Sequence, residues 1–166
     1  MKYVRPEFEV FEGRKEDLPI GYQIIKCHMI FDVKLGENFR RKSRLVGGGH
    51  MTTAPTSATY SSVVLCDSLR IALMVTALNG LDILACDIQN AYLTARCGEN
   101  IWTIVGPEFR SEEGTMMIVK MALYGLNISG DVFRAKLVGV LKDIQYQPTK
   151  ADPDVWIRTA ICKDGS

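Results

Sequence analysis

A short apolar run in the middle of the sequence ends in an acidic residue. Leu81 to Cys86 is apolar apart from Asp82, and Asp87 follows it directly. An unpaired carboxylate at the end of a buried strand is costly, because a charge in an apolar setting is strongly disfavoured. A metal ion is one usual partner for such a carboxylate, and the backbone N–H groups of the following turn are another. The spacing alone leaves a metal ligand and a simple backbone cap both open.

Positive charge is concentrated in an earlier part of the chain. Segment 34–44 carries five basic residues against Glu37 alone, although the net charge of the whole chain is only +1. Its clustered cations are Arg40, Arg41, Lys42 and Arg44. Such a cluster is often just a solvated face. The forked guanidinium group of Arg and the compact ammonium group of Lys also suit phosphate oxygens, so contact with phosphates is the functional alternative.

Hydrophobic periodicity predicts a β-hairpin that carries these cations. Residues 22–35 alternate, and residues 39–46 return after a turn at 36–38. The side expected to face a core consists of Ile25, Cys27, Met29, Phe31, Val33 and Leu35. The glycine triplet 47–49 then predicts a flexible turn rather than a phosphate cradle, because no P-loop Lys-Ser/Thr pair follows it.

Beyond residue 60 the pattern predicts helices and strands in alternation. A helix capped by Ser61 or Ser62 should end at Asn79 and Gly80. The elements expected after it are a strand at 81–87, a short helix from Asn90, strands at 101–105 and 116–121, and a helix at 129–145. The order lacks the regular βαβ repeat of a doubly wound sheet, so we expect an α+β fold.

Composition sets wide limits on the class of protein. The chain has 166 residues, 47% hydrophobic and 23% charged, which suits one globular core. It contains neither a run of about 18 apolar residues nor a signal peptide, so we expect an intracellular protein without a membrane span. The five cysteines, at positions 27, 66, 86, 97 and 162, form no CxxC pair. They predict no disulfide framework and no zinc site, and we expect them to be buried as small hydrophobes.

Five phrases, spread in order over about residues 20–158, resemble those of copia-type retrotransposon reverse transcriptases. They are FRRKSRLV (39–46), YSSVV (60–64), DIQNAY (87–92), IWTIVGPEF (101–109) and VKMALYGL (119–126). The third is similar to the first catalytic motif of that family. Each phrase is weak alone, and their common order makes the signal strong.

The resemblance implies a fold, a division of the chain and a set of partners. The fold would be a partial fingers-and-palm of the polymerase right hand, lacking the catalytic hairpin and the thumb. Residues 1–19 would form an N-terminal extension, 20–80 a fingers-like part and 81–166 a mostly palm-like part. The implied partners are an RNA or DNA template–primer, deoxynucleotides and the remainder of a polyprotein, in a cytoplasmic particle or the nucleus.

The resemblance also implies roles for residues near Asp87. The reaction would be addition of deoxynucleotides with two Mg²⁺ ions, for which Asp87 would be the first ligand and the carbonyl of Ile88 a helper. Tyr92 would stand where the family selects deoxyribose by excluding a 2′-hydroxyl. The alternative for Tyr92 is an aromatic core residue on a short helix.

Two further groups of residues receive roles in the same way. Tyr124 and Gly125 would precede a helix that lines the pocket for nucleotide and template, and the alternative is a helix stop followed by a cap. The cations Arg40, Arg41, Lys42 and Arg44 would contact phosphates of the template or the incoming nucleotide.

The sequence departs from the family pattern in three places. Asn127 stands where Lys is common, and Asp131 adds a charge that repels phosphate. No Asp-Asp pair occurs, whereas the Tyr-Val-Asp-Asp box of the family carries the other two catalytic carboxylates. Asp152 and Asp154 do not replace it, because segment 150–156 resembles the region that normally precedes that box.

These departures predict a reverse transcriptase fragment that is inactive by itself. The alternative is a non-catalytic nucleic-acid-binding or structural remnant of a transposable element. Salt-sensitive binding to duplexes would separate a binding module from a structural remnant.

Overall fold

The computed structural model describes residues 5–36, 38–53 and 61–159. Its strands and α-helices are β1 (Phe8–Val10), β2 (Gln23–Ile24), β3 (Cys27–Lys34), β4 (Arg40–Gly47), α1 (Cys66–Leu78), β5 (Ile101–Ile104), β6 (Met116–Val119), α2 (Ser129–Asp143), β7 (Gln147–Pro148) and β8 (Trp156–Ile157). This mixture confirms the α+β composition. Among the described helices, none has both the length and the apolar character that a membrane span requires.

The chain divides into two compact units. Residues 1–60 and 90–133 form the first unit, and residues 61–89 and 134–166 form the second. Of the residues used in the sequence predictions, Glu37, Tyr60 and Cys162 lie outside the described ranges.

A four-stranded sheet in the order β1, β6, β5, β2 forms the centre of the first unit. β6 is antiparallel to both of its neighbours, and β2 runs parallel to β5. The predicted strands at 101–105 and 116–121 are confirmed with slightly shorter ends. The first three residues of β5 are buried, and the hydroxyl of Thr103 donates to the carbonyl of Ile25 at 3.0 Å. This bond satisfies the polar group of a strand that is covered on both faces.

Residues near the amino terminus take part in this sheet. Phe8 lies opposite Val119 in the pairing of β1 with β6, and its ring meets that of Phe109 edge to face at 5.3 Å. Residues 8–10, which the sequence placed in an N-terminal extension, thus contribute a strand and a core side chain. The buried core cluster consists of Phe8, Ile25, Leu45, Ile101, Val105, Phe109, Met117, Val119, Leu123 and Leu126.

The predicted β-hairpin is confirmed, whereas its predicted burial is only half right. Strands β3 and β4 pair antiparallel over eight residues each, in a register that places Met29 opposite Leu45. Met29 packs against the core, but Phe31, Val33 and Leu35 are exposed. The expectation for these three was wrong, because the contact with the core ends near Leu45 and the far half of the hairpin extends beyond it.

Helix α1 in the second unit begins later than predicted and lacks the predicted side-chain cap. It starts at Cys66, with Leu65 in the N-cap position and no cap from a neighbouring side chain. Oδ2 of Asp152 accepts the N–H of Leu65 at 2.9 Å and so fixes the residue that precedes the helix, while the predicted cap by Ser61 or Ser62 is wrong. The carboxylate lies far away in sequence, so local capping patterns could not identify it.

The end of α1 agrees with the sequence prediction. Asn79 is the C-cap residue, and its side-chain amide donates to the carbonyl of Val75 at 2.8 Å. Gly80 follows with a φ of 60°, the left-handed conformation that glycine adopts easily after a helix.

The predicted strand at 81–87 is wrong. Residues 81–89 form no strand ladder in the structure, and every one of them is exposed, with Leu84 at 93%. Helix α1 likewise has no buried residue. Asp87 therefore ends an exposed segment, and the desolvation cost inferred from a buried strand does not arise.

The cysteines also differ from the expectation of burial. Cys66 and Cys86 are exposed, whereas Cys27 and Cys97 are half-buried. Burial raises the pKa of the Cys27 thiol to about 11, so this cysteine remains protonated at neutral pH.

Two acidic residues of the second unit accept hydrogen bonds from other parts of that unit. The carboxylate of Asp152 is 2% exposed and accepts the N–H groups of Leu65 and, at 3.0 Å, of Asp154. Asp154 in turn accepts Nε and Nη2 of Arg134 at 3.0 and 2.8 Å. The N–H of Leu65, followed by that of Asp154 and the hydroxyl of Ser68, lowers the pKa of Asp152.

This lowered pKa gives a prediction for acid sensitivity. The folded pKa of Asp152 lies below the unfolded value of about 3.9, so its contribution to stability is present above that value and is lost as the pH falls through the folded pKa. We expect Asp152→Asn to lower the hydrogen-exchange protection of the Leu65 and Asp154 amides at neutral pH, and the difference from the parent chain to shrink in acid.

Exchange measured by NMR and corrected for the intrinsic rate at each pH tests this. Asp82→Asn, which removes an exposed carboxylate of the same unit, is the matched control and should leave both amides unchanged. Equal protection in Asp152→Asn and the parent at neutral pH would contradict the assignment.

Candidate functional site

The end of the basic strand is joined to the segment containing Tyr124 and Gly125 by backbone hydrogen bonds. The N–H of Gly47 donates to the carbonyl of Tyr124 at 2.8 Å, and that of Gly49 donates to the carbonyl of Gly125 at 3.1 Å. Val46 forms a parallel bridge with Tyr124 next to these bonds. We call this contact between residues 46–49 and 124–127 the glycine seam.

The seam requires glycine because two backbones meet directly. A Cβ atom on Gly49 would lie against the carbonyl oxygen of Gly125 and 2.9 Å from Cα of Leu126. Gly125 has a φ of 88°, and its own Cβ would strike the carbonyl oxygen of Gly47. The flexible turn predicted at 47–49 is therefore a buried junction. All three of its N–H groups donate to carbonyls, that of Gly48 to Lys26, so none remains for a phosphate.

Asn127 and Thr52 close one end of the seam, and sequence reasoning gave neither a role. Nδ2 of Asn127 donates to the carbonyl of Gly49 at 2.9 Å and lies 3.4 Å from Oγ1 of Thr52. The hydroxyl of Thr52, itself buried, donates to the same carbonyl at 2.9 Å. In the sequence, the only sign of a role for either residue was that Asn127 stands where the family commonly has Lys. An amide fits there because its Nδ2 donates to a backbone carbonyl and lies beside a hydroxyl oxygen.

Tyr92 packs against the same segment. It lies on the short 3₁₀-helix Ala91–Thr94, which confirms the predicted turn into a helix after Asn90. Its ring centroid is 5.0 Å from that of Tyr124 and 6.0 Å from that of Phe133, and all three side chains are half-buried. These separations are typical of stabilising aromatic pairs, so the ring of Tyr92 is held on two sides.

Residues 95–97 fix the position of this short helix relative to β6. The N–H of Ala95 closes the 3₁₀ turn, and the N–H of Cys97 donates to the carbonyl of Lys120 at 2.8 Å. The N–H of Ala122 returns to the carbonyl of Ala95 at 2.9 Å. Residues 95–97 thus form a regular backbone junction between the short helix and the end of β6.

The register of the hairpin divides the four predicted phosphate ligands between its two faces. Arg40, Lys42 and Arg44 alternate along β4 and share one face, and Arg41 lies on the other face opposite Val33. Lys42 is half-buried, and the three arginines are exposed. Lys42 lies opposite Asp32, so the shared face is strongly but not uniformly positive.

Asp87 and Ile88 lie in the second unit, on the exposed segment 81–89. Asp87 makes no hydrogen bond or ion pair within the described part of the chain, and Ile88 is 46% exposed. Within the same described ranges, no group of three or more His, Cys, Asp or Glu side chains could hold a metal ion. Asp87 thus offers one carboxylate to solvent and does not by itself make a magnesium site.

Comparison with protein families gives one match that spans nearly the whole chain. The model of the family described as reverse transcriptase (RNA-dependent DNA polymerase) matches residues 8–163. The match begins at β1, the strand whose Phe8 belongs to the core. Comparisons with curated proteins and with solved structures find no significant match.

The glycine seam generates a prediction about stability. We expect Gly49→Ala to lower the free energy of unfolding by about 1–3 kcal/mol, because the added methyl group meets backbone atoms that cannot move aside. Gly36→Ala is the matched control: a Cβ there meets nothing within 4 Å, so the change should stay within about 0.5 kcal/mol. Urea unfolding followed by tryptophan fluorescence measures both. Equal stability of the two variants would show that the seam is not tightly packed.

Proposed function

Because the chain belongs to the reverse transcriptase (RNA-dependent DNA polymerase) family, we propose that its first unit binds template, primer and incoming deoxynucleotide as part of the fingers and palm of a polymerase right hand. The chain is a retrotransposon reverse transcriptase fragment, and the remainder of a polyprotein is its proposed partner. The reaction of the complete enzyme is RNA-directed addition of deoxynucleotides.

The glycine seam is the observation that carries this proposal. It joins β4 to Tyr124 and Gly125, and Tyr124 packs against Tyr92. Residues from three separate family-like phrases thus form one continuous, hydrogen-bonded part of a single unit. The arrangement supports the proposal because it keeps an exposed cationic strand attached to a half-buried aromatic pair.

Tyr92 is proposed to select deoxyribose. A half-buried ring has one part fixed by packing and another part accessible to a ligand, which suits a steric filter better than a fully buried core residue does. Tyr124 holds the ring from one side. Gly125 is exposed, so part of its backbone is accessible to a ligand next to Tyr124.

Asp87 is proposed to supply one catalytic carboxylate to the complete enzyme. The family implies Mg²⁺, but the described residues do not provide a complete site for it, since Mg²⁺ usually needs more than one carboxylate together with substrate phosphates. Asp87 is exposed on an extended segment and is therefore accessible to further ligands.

The first functional prediction concerns synthesis. We expect residues 1–166 alone not to extend a primer, and the same chain joined to the Tyr-x-Asp-Asp segment of a copia-type enzyme to do so. In the joined protein Asp87→Asn should abolish incorporation but leave duplex binding intact, because it removes a charge at nearly constant shape. Asp82→Asn, five residues earlier on the same exposed run, is the control and should remain active. Full activity of Asp87→Asn would show that Asp87 is not a catalytic carboxylate.

The second prediction concerns the choice of sugar. In the joined protein Tyr92→Val should remain active and lower the preference for deoxynucleotides over ribonucleotides by about tenfold or more, because the smaller side chain leaves room for a 2′-hydroxyl. Tyr146→Val, at a half-buried tyrosine of the second unit, should keep the parent preference. Single-nucleotide incorporation with each type of triphosphate measures the ratio. An unchanged ratio in Tyr92→Val would assign the ring to packing alone.

The third prediction concerns phosphate contact and uses the 166-residue chain. Binding to a primer–template duplex should weaken steeply with salt, by about 0.9 logarithmic units per phosphate contact for each tenfold rise in salt concentration. Replacing Arg40, Arg41, Lys42 and Arg44 together by Gln should flatten that slope. Arg14→Gln, which removes an exposed cation outside the hairpin, should change it little. Binding that does not depend on salt would favour the structural alternative.

A further inference from the structure

The segment around Asp87 combines unpaired backbone with exposed apolar side chains. Among the described residues, none makes a hydrogen bond to the backbone of residues 82–89. Every residue of that stretch is exposed, Ile83 to 65% and Leu84 to 93%. A row of unpaired N–H and C=O groups is a ready template for another strand. The segment therefore offers both the backbone groups and the apolar side chains that strand pairing uses.

We propose that segment 82–88 pairs as an antiparallel strand with the same segment of a second copy of the chain, which forms a two-fold symmetric dimer. The inference is independent of the proposed function, because it concerns contact between two copies and not the binding of nucleic acid. Natural proteins protect their strand edges, so few other proteins offer an equally long unpaired segment. A second copy carries one by definition. The segment has two carboxylates and no cation, which excludes a polyanion as its occupant.

Two-fold symmetry keeps the carboxylates of the two copies apart. In an antiparallel pair related by a two-fold axis, one residue lies opposite its own copy, and the sequence numbers of all opposed residues therefore differ by an even number. Asp82 and Asp87 differ by an odd number, so neither lies directly opposite the other, where like charges destabilise pairing. With the axis at any of residues 84–86, neither aspartate lies opposite itself.

The same three registers place apolar side chains opposite each other. With the axis at residue 84, 85 or 86, Leu84 lies opposite Leu84, Cys86 or Ile88 of the second copy, respectively. The leucine side chain, which is almost fully exposed in the single chain, is thus covered by an apolar neighbour in each case. Removal of this apolar surface from water favours the pairing.

Helix α1 supplies the further apolar surface that a dimer needs, since two paired strands alone are only marginally stable. The N–H of Leu81 donates to the carbonyl of Thr76 at 3.0 Å, so the segment starts at the last turn of this helix. Ten large apolar side chains of the helix and the segment are each at least 45% exposed. They present apolar surface of the same order as the roughly 800 Å² that each partner of a stable interface buries. These side chains are Leu69, Ile71, Leu73, Met74, Val75, Leu78, Leu81, Ile83, Leu84 and Ile88.

The test measures the oligomeric state of the 166-residue chain by sedimentation equilibrium over a range of protein concentrations. We expect a monomer–dimer equilibrium. Leu84→Lys should raise the dissociation constant about tenfold or more, because a lysine on a strand edge opposes pairing. Val140→Lys, at an exposed apolar residue of α2 in the same unit, is the matched control and should dimerise as the parent does.

Two proline variants separate strand pairing from general apolar contact. The N–H groups of successive residues in a strand point to opposite edges, so one of those of Ala85 and Cys86 faces the second copy. At least one of Ala85→Pro and Cys86→Pro should therefore weaken the dimer about tenfold or more. Neither N–H group has a partner within the described residues, so the single chain should remain folded, which circular dichroism checks.

Hydrogen exchange measured by mass spectrometry locates the contact directly. The protection of the peptide that covers residues 82–88 should increase with protein concentration, because its N–H groups are unpaired in the single chain. The peptide that covers β1, in the first unit, should show the same protection at every concentration.

Each contrary outcome overturns the inference. A chain that is monomeric at every concentration has no such contact. A dimer that survives Leu84→Lys, that neither proline variant weakens, or that gains exchange protection outside residues 82–88 alone uses another surface. Open-ended aggregates in place of a dimer contradict a closed two-fold contact. None of these measurements involves nucleic acid, so they leave the proposed function untouched.

Discussion

The direct hydrogen bonding of the backbone at residues 47–49 to that at 124–127 is the constraint on which the first unit depends. It works only because Gly49 and Gly125 lack a Cβ, and because Gly125 adopts a positive φ of 88°. Through it the cationic strand β4 is fixed to Tyr124, and the ring of Tyr124 supports Tyr92. Strand β4 and the segment of Tyr124 are thus joined by their main chains, whereas Tyr92 is held by the packing of its ring.

The two units use apolar residues in opposite ways. In the first, a continuous cluster of buried side chains from the sheet and from the base of the hairpin accounts for the packing. In the second, α1 has no buried residue, and the run that leads to Asp87 is fully exposed. Polar contacts provide order there instead: Asp152 accepts the N–H of Leu65, which precedes α1, and Asp154 is held by Arg134. Charge-assisted bonds of this kind fix geometry well but depend on the carboxylates remaining ionised.

Exposure differs between the two halves of the hairpin. Met29 and Leu45 attach its base to the core, where apolar contact is the usual source of stability. Beyond them Phe31 and the cations project into solvent.

The local sequence pattern determined much of the secondary structure of this protein. The alternation of residues 22–46 predicted the hairpin, Asn79 and Gly80 predicted the end of α1, and helical spacing predicted α2, because each depends on neighbours in sequence. The order of phrases identified the reverse transcriptase family. Tertiary structure alone decided that Gly47 to Gly49 form a buried junction, that Asp152 binds the backbone just before α1, and that residues 81–87 remain exposed and unpaired. Each of these depends on which distant segment lies alongside, and neither composition nor periodicity specifies that.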